Sequence, residues 1–220
     1  MKRLFGVWLI ISISATLLIS SIESKSYDKN YYLESFKENE VVAVTGKGIN
    51  ELESIVDNII EYLKGNGKDE LLRPYFNDRE VAHMRDVQDL FHLARIIRYV
   101  SIFLSITIIA YFAYCEGTKR LGRKLFFGLF TNHIIIALLS IIMLIDFTSF
   151  WTLFHHLFFT NDLWLLNPKT DLMIKMLPEP FFSGIIVKIV LSFFINLSIL
   201  QLIGLYFMKK GKERWEVKKK

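Results

Sequence analysis

Apolar residues are concentrated in four long blocks that alternate with polar segments. A helix needs about 20 predominantly apolar residues to cross the hydrocarbon core of a bilayer, and each block meets this length. We assign transmembrane helices to residues 1–22, 96–115, 125–146 and 181–208. The pattern therefore predicts an all-α integral membrane protein with four transmembrane helices.

The first polar segment, residues 23–95, contains two predicted amphipathic helices and one predicted strand. The first helix has an apolar face at helical spacing, formed by Leu52, Ile55, Val56, Ile59, Tyr62 and Leu63. The second starts at a capping box, Asn77 followed three residues later by Glu80, and continues into the second span. The run VVAVTGKG before them favours a short strand and a turn.

The start of the chain has the layout of a secretory signal, because Lys2 and Arg3 precede the apolar block. No clear cleavage site of small residues follows it. An uncleaved signal anchor is the favoured interpretation, and cleavage stays open as the alternative. Inside the later spans, we expect four polar residues to hydrogen-bond between helices: Asn132, His133, Asn196 and Gln201.

Composition excludes an ordinary soluble domain, because 52% of the residues are hydrophobic and the mean hydropathy is +0.34. The net charge of +5 does not indicate nucleic-acid binding, because the basic residues cluster beside the spans. Of the 27 basic residues, 13 occupy the N-terminus, the loop 116–124 and the tail 209–220. Segment 23–95 instead has more acidic than basic residues.

This asymmetry predicts the orientation of the chain, because basic residues are enriched in cytoplasmic loops. Both termini are then cytoplasmic, and the basic tail is placed to contact anionic membrane phospholipids. Segments 23–95 and 147–180 face outward, and we expect them to form a mainly helical extracellular cap. Cys115 is the only cysteine, so no intrachain disulfide can form.

Histidines in the two outward segments are the candidate catalytic groups. His83 lies three residues before Asp86, so the two can be neighbours on one helix face. The carboxylate either orients the imidazole or makes an ordinary surface contact. In the second segment, FHHLFFTNDLWLLNP places His155 and His156 inside an aromatic run.

Two familiar chemistries find little support in the sequence. The chain has no HExxH and no paired cysteines, so no metal site is predicted. It has no GxSxG motif of serine hydrolases either. Two outward histidines can still provide general acid–base catalysis if the nucleophile belongs to the substrate. The alternative from another class is a non-enzymatic membrane scaffold whose outer loops bind a partner.

The second outward segment resembles the lipoprotein intramolecular transacylases, a family of bacterial integral membrane proteins. The resemblance rests on FHHLFFTNDLW, followed by Pro168, Asp171 and LPEPFF, and on AHMRDV around His83. Four spans with a large first outer loop are also similar to the family. The resemblance implies an enzyme of the bacterial cell membrane whose substrate is a diacylated bacterial lipoprotein. The sn-2 acyl chain of its diacylglyceryl-cysteine would move onto the α-amine, giving a lyso-form lipoprotein.

The resemblance also implies that His83 and His155 are the catalytic pair, because the motif places its histidine directly after Phe154. We expect His83 to be the base and His155 the oxyanion donor or proton shuttle, and the reverse assignment stays open. No cofactor is expected. The supporting or substrate-binding residues that we expect are Asp86, His156, Phe158, Phe159, Asn161, Asp162 and Trp164.

Overall fold

The computed structural model describes residues 2–212, most of which are helical. The helices are α1 Lys2–Ser26, α2 Lys29–Glu38, α3 Val41–Thr45, α4 Ile49–Lys64, α5 Asp78–Glu116, α6 Thr118–Ile145, α7 Phe147–Phe158, α8 Leu172–Met176 and α9 Glu179–Lys210. A short 3-10 helix spans Asp69–Leu71. Most of the predicted basic tail, residues 213–220, lies outside the described residues.

Four helices are long and apolar enough to cross a membrane: α1, α5, α6 and α9. Residues 2–212 contain no strand. The predicted class, an all-α membrane protein with four transmembrane helices, is therefore confirmed. The first part of α5, residues 78–95, carries too many charged residues to lie in a bilayer core.

The predicted strand in VVAVTGKG is wrong. This segment forms α3, which Gly46 ends with a positive φ of 68°. A strand here would need a second strand to pair its backbone groups, and the described residues offer none. A helix satisfies them within the segment, as when the Gly46 N–H donates to the Val42 carbonyl at 3.0 Å.

The chain divides into two units, which we call the membrane unit (Met1–Ser21, Ile96–Ile141 and Val190–Lys220) and the loop unit (Ile22–Arg95 and Ile142–Ile189). The membrane unit has a core to which each spanning helix contributes a fully buried side chain. These side chains are Leu9, Phe112, Leu129 and Leu197.

Polar side chains also join the helices of the membrane unit. Three of the four predicted residues bond to another helix: Asn132 to Ser14 (2.8 Å), His133 to Ser198 (3.2 Å) and Gln201 to the Phe126 carbonyl (3.0 Å). Asn196 makes no side-chain hydrogen bond to any residue in the described range 2–212. Interhelical bonds of this kind stabilise a helix bundle where apolar packing alone is weakly directional.

Basic segments from three parts of the chain meet at one end of the membrane unit. The ammonium groups of Lys2 and Lys124 lie 3.6 and 3.7 Å from the buried carboxylate of Glu116. The backbone N–H of Lys119 donates to the carbonyl of Lys212 at 3.3 Å. The N-terminus, the α5–α6 connection and the end of α9 are therefore neighbours.

The loop unit has its own core around α4. The predicted apolar face of α4 is buried in full: Leu52, Ile55, Val56, Ile59, Tyr62 and Leu63. Phe36 from α2, Val81 from α5, Met176 from α8 and Phe181 from α9 pack in the same cluster. This core holds the start of α5 beside α8 and thereby fixes the elements that carry the candidate site.

Candidate active site

The start of α5 is the first structural support of the site. The Asn77 side-chain oxygen accepts hydrogen bonds from the backbone N–H groups of Arg79 and Glu80, at 2.9 and 3.0 Å. Glu80 in turn accepts the Asn77 N–H at 2.8 Å. The predicted capping box is thus confirmed. It fixes the first turn of α5, and His83 follows within the next turn.

The Glu80 carboxylate also joins α5 to a distant part of the chain. Its second oxygen accepts the backbone N–H of Met173 in α8 at 2.6 Å. Glu80 is only 1% exposed, and this burial raises the pKa of its carboxyl, against the lowering effect of the backbone N–H donors. The buried side chain of Glu80 therefore both caps α5 and holds α8 against it.

Asp171 ties the intervening loop to the same place. Its carboxylate accepts the backbone N–H of Asn167 at 2.7 Å, the Thr170 hydroxyl at 2.8 Å and the Asn77 side-chain amide at 3.1 Å. These donors, the Asn167 N–H foremost, hold the pKa of Asp171 below its usual range. Nearby, the Arg79 guanidinium donates to the carbonyl of Asp162. The loop that follows α7 is therefore attached to the first turn of α5.

The second histidine is oriented by its own helix. Asp146 caps the start of α7, and its carboxylate accepts the Ser149 N–H at 3.0 Å. In the last turn, His155 is 5% exposed, and its Nδ1 lies 2.8 Å from the Trp151 carbonyl. A carbonyl only accepts hydrogen bonds, so Nδ1 must carry the proton in this contact. The Nε2 of the neutral ring is then left with its lone pair.

His83 and His155 lie together in the loop unit, with ring centroids 6.0 Å apart. His83 is 9% exposed. Its Nδ1 is buried without a hydrogen-bond partner among the described residues. Burial, and secondarily the neighbouring His155, lowers the pKa of His83 to about 4. Burial also lowers the pKa of His155. Both rings are therefore neutral near pH 7.

Aromatic rings surround the histidine pair. The indole of Trp164 stacks on His155 with ring centroids 4.5 Å apart and planes 24° apart. Phe159 is buried, with its centroid 5.4 Å from that of His83 and 5.7 Å from that of His155. Trp151 meets His155 edge-on at 4.6 Å. These contacts remove both imidazoles from water, which explains the lowered pKa values.

The remaining predicted site residues contact the surrounding loop and aromatic side chains. The Asn161 amide donates to the Asp86 carboxylate at 2.9 Å, so Asp86 binds the loop rather than His83. His156 is exposed and its ring edge meets Trp164 at 5.3 Å. Phe158 is exposed and packs on Phe154. The Asp162 side chain is exposed, and its backbone carbonyl makes the contact with Arg79 described above.

Sequence reasoning missed two supports of the site. The first is the carbonyl of Trp151, which orients His155; the spacing of four residues inside an aromatic helix was the available signal. The second is the bond from Glu80 to Met173. Nothing local signals this bond, because it joins residues 93 positions apart.

A family model described as lipoprotein intramolecular transacylase Lit matches residues 7–182. The match covers most of the chain and includes both histidine segments. The chain belongs to the lipoprotein intramolecular transacylase family. It is thus a membrane acyltransferase, and this decides against the alternative of a non-enzymatic scaffold. A comparison with the curated proteins finds no match.

Solved structures of the membrane-integral Lit from Bacillus cereus share the fold of this chain. One is 24% identical, with a TM-score of 0.85 over 96% of this chain and 97% of that chain. Two others carry a substitution of one histidine, by arginine or by alanine. Each is 23% identical to this chain, with a TM-score of 0.80. Both matches cover 96% of this chain, and they cover 93% of the arginine variant and 94% of the alanine variant.

The lowered pKa of His83 can be tested by NMR on histidine-labelled protein in detergent. We expect the His83 resonance, assigned by its loss in His83→Ala, to titrate near pH 4. In His155→Ala it should titrate at higher pH, because the substitution removes a neighbouring charge and opens the enclosure to water. A His83 that titrates at about 6.5, the value of a free histidine, would contradict the burial that we describe.

The lowered pKa of His83 also makes the stability of the protein depend on pH. In the unfolded chain His83 binds its proton at about pH 6.5, but in the folded protein only near pH 4. Its contribution to the free energy of unfolding is thus fully present above pH 6.5 and is lost as the pH falls toward 4. His83→Ala should lose less stability over this interval than the wild type, as measured by thermal unfolding.

Proposed function

We propose that this Lit family member moves the sn-2 acyl chain of a diacylglyceryl-modified N-terminal cysteine onto the α-amine of the same cysteine. The product is a lyso-form lipoprotein with an N-acyl chain and a monoacylglyceryl group. The observation that carries the proposal is the pair of buried, neutral histidines, with ring centroids 6.0 Å apart inside an aromatic enclosure. Such a pair can move protons for a nucleophile that the substrate itself supplies.

The reaction needs one proton to move from nitrogen to oxygen. The α-amine attacks the sn-2 ester carbonyl, a C–N bond forms, and the C–O bond to the glyceryl group breaks. The amine nitrogen loses a proton and the glyceryl oxygen gains one, so no other reactant is consumed. A free α-amine has a pKa of about 7.7–8.0, so a nearby base near neutral pH assists the attack.

The hydrogen bond of His155 and the lowered pKa of His83 favour the reverse of the roles that we expected from the sequence. His155 has its Nδ1 engaged by the Trp151 carbonyl at 2.8 Å, which leaves Nε2 as a fixed proton acceptor. We therefore assign His155 as the base that takes the amine proton and delivers it to the glyceryl oxygen. His83 resists protonation, so it acts as a neutral N–H donor to the developing oxyanion.

Two physical effects help transfer to compete with hydrolysis. The amine and the ester belong to one molecule, and holding them in contact removes much of the entropic barrier. The aromatic rings around the histidines, Phe159 and Trp164 among them, keep water from the reacting carbonyl. The same apolar walls are suited to acyl chains.

We further propose that the enzyme lies in the bacterial cell membrane with both termini in the cytoplasm and the histidine pair facing outward. The support is the clustering of the basic segments at one end of the membrane unit, which the positive-inside rule places in the cytoplasm. Membrane phospholipids are then the other partners of the chain, and neither a nucleic acid nor a cofactor has a role.

The catalytic pair can be tested with a synthetic diacylglyceryl-cysteine peptide that carries a labelled sn-2 chain. The wild type should move the label to the α-amine at constant peptide mass, with little free fatty acid. His83→Ala and His155→Ala should each lose about 10²–10⁴-fold in rate, because each removes a group that acts on the reacting atoms. Fragmentation mass spectrometry locates the label.

The matched control is His156→Ala, which removes the neighbouring exposed histidine and should have a much milder effect. Each variant is compared at equal folded yield, judged by its thermal transition in detergent. An inactive His156→Ala together with an active His155→Ala would overturn the assignment. Release of the labelled chain as free fatty acid in molar amounts would make the protein a hydrolase instead.

The orientation can be tested in a Cys115→Ser background by labelling whole cells with an impermeant maleimide. Cysteines introduced at Lys47 and Lys169 should react from outside, because both positions belong to the segments assigned to the outer side. A cysteine at Lys119 should react only after the membrane is opened. Outside labelling at position 119 would reverse the topology and with it the proposed location of the site.

A further inference from the structure

Two nitrogen atoms in the histidine site are buried without a hydrogen-bond partner among the described residues. They are Nδ1 of His83 and Nε1 of Trp164. Leaving a buried polar group unpaired is costly, so each such group calls for a physical explanation. Both atoms belong to rings that contact neighbouring aromatic side chains of the site, so a bound substrate is the natural source of the missing partners.

The two atoms differ in the kind of hydrogen-bond partner that each can have. A neutral imidazole nitrogen is a donor or an acceptor according to the tautomer, so the free Nδ1 of His83 does not specify its partner. An indole nitrogen is only a donor. The indole N–H of Trp164 can therefore bond only to a hydrogen-bond acceptor of a molecule bound in the site. The carbonyl oxygen of the ester in the proposed substrate is such an acceptor.

The indole is held firmly in place. Its ring stacks on His155 and meets the edge of His156. The backbone on either side is fixed by a turn in which Leu166 N–H donates to the Trp164 carbonyl at 3.0 Å. A donor that is already oriented needs no reorganisation when charge develops nearby, which is the condition for stabilising an oxyanion.

We propose that Trp164 is a catalytic residue whose indole N–H donates a hydrogen bond to the sn-2 ester carbonyl oxygen. The bond strengthens as that oxygen becomes the oxyanion of the tetrahedral intermediate, and Trp164 keeps its proton throughout. Its ring lies against His155, so the oxyanion donor and the base are placed at the same reacting ester. The inference rests on the proposed function and adds to it a second oxyanion donor beside His83.

The first test replaces the indole with groups that keep the stacking surface but lack the N–H. Trp164→Phe keeps an aromatic ring but leaves a small void. Replacement of Trp164 by 3-benzothienylalanine, in which sulfur takes the place of the N–H, keeps the size as well. We expect kcat on the labelled peptide to fall about 10²–10³-fold in both variants, with little change in KM. A benzothienyl variant with the wild-type kcat would overturn the proposal.

A second substrate separates donation from packing. In an sn-2 thionoester peptide the carbonyl oxygen is replaced by sulfur, which is a weak hydrogen-bond acceptor. The wild type should process the thionoester far more slowly than the ester. In the benzothienyl variant, the ratio of the ester rate to the thionoester rate should be much smaller. If the variant slows both substrates by the same factor, Trp164 acts only through packing and the proposal is wrong.

The same experiment separates this inference from the proposed function. If the wild type fails to move the label to the α-amine, the proposed function itself fails. If the wild type moves the label and Trp164→Phe does so equally fast, only the role of Trp164 is wrong. The thermal transition of each variant verifies that equal amounts of folded enzyme are compared.

Discussion

The site depends on the hydrogen bonds that the buried carboxylate of Glu80 accepts. One oxygen completes the capping box at the start of α5, and the other accepts a backbone N–H from α8 at 2.6 Å. Hydrogen bonds to a charged group contribute about 1.5–3 kcal/mol each, and here they offset part of the cost of burying the carboxylate, whose pKa is still raised by burial. Together with the bonds from Asn77 to Asp171 and from Arg79 to the Asp162 carbonyl, this link sets the distance between the helix that carries His83 and the loop that carries Trp164.

Burial then determines the chemistry of the histidines. An exposed histidine is partly protonated near neutral pH, but both members of this pair have lowered pKa values. Neutral rings suit a reaction in which one imidazole takes a proton and another donates an N–H bond. The aromatic neighbours that lower the pKa values also exclude water, so in the proposed reaction the same enclosure serves both proton transfer and the suppression of hydrolysis.

Local sequence was sufficient for the features that depend on local spacing. The four spans, the buried face of α4 and the Asn77–Glu80 box follow from periodicity or from pairs three residues apart. The histidine segments were recognised from their residues, and the family motif singled out His83 and His155. The strand predicted in VVAVT was wrong because pairing partners, which no local pattern reveals, decide whether a β-prone run becomes a strand.

Other features needed the folded chain. The second bond of Glu80 joins residues 93 positions apart, and the unpaired N–H of the Trp164 indole shows only once the surroundings of the ring are known. The sequence left open whether Asp86 orients His83 or makes a surface contact, and in the folded chain its carboxylate accepts a hydrogen bond from Asn161. The tautomer of His155 likewise depends on how α7 places the Trp151 carbonyl, and it is one ground for the roles that we propose for the two histidines.

The central claim is that two histidines serve a transfer within one substrate molecule. The most direct measurement is a crossover experiment with two diacylglyceryl-cysteine peptides of different mass, only one of which carries a labelled sn-2 chain. The account predicts that every labelled N-acyl product keeps the mass of the labelled parent, and that acetylation of the α-amine stops the reaction. Labelled acyl chain on the second peptide would contradict it, because the enzyme would then pass the chain between molecules.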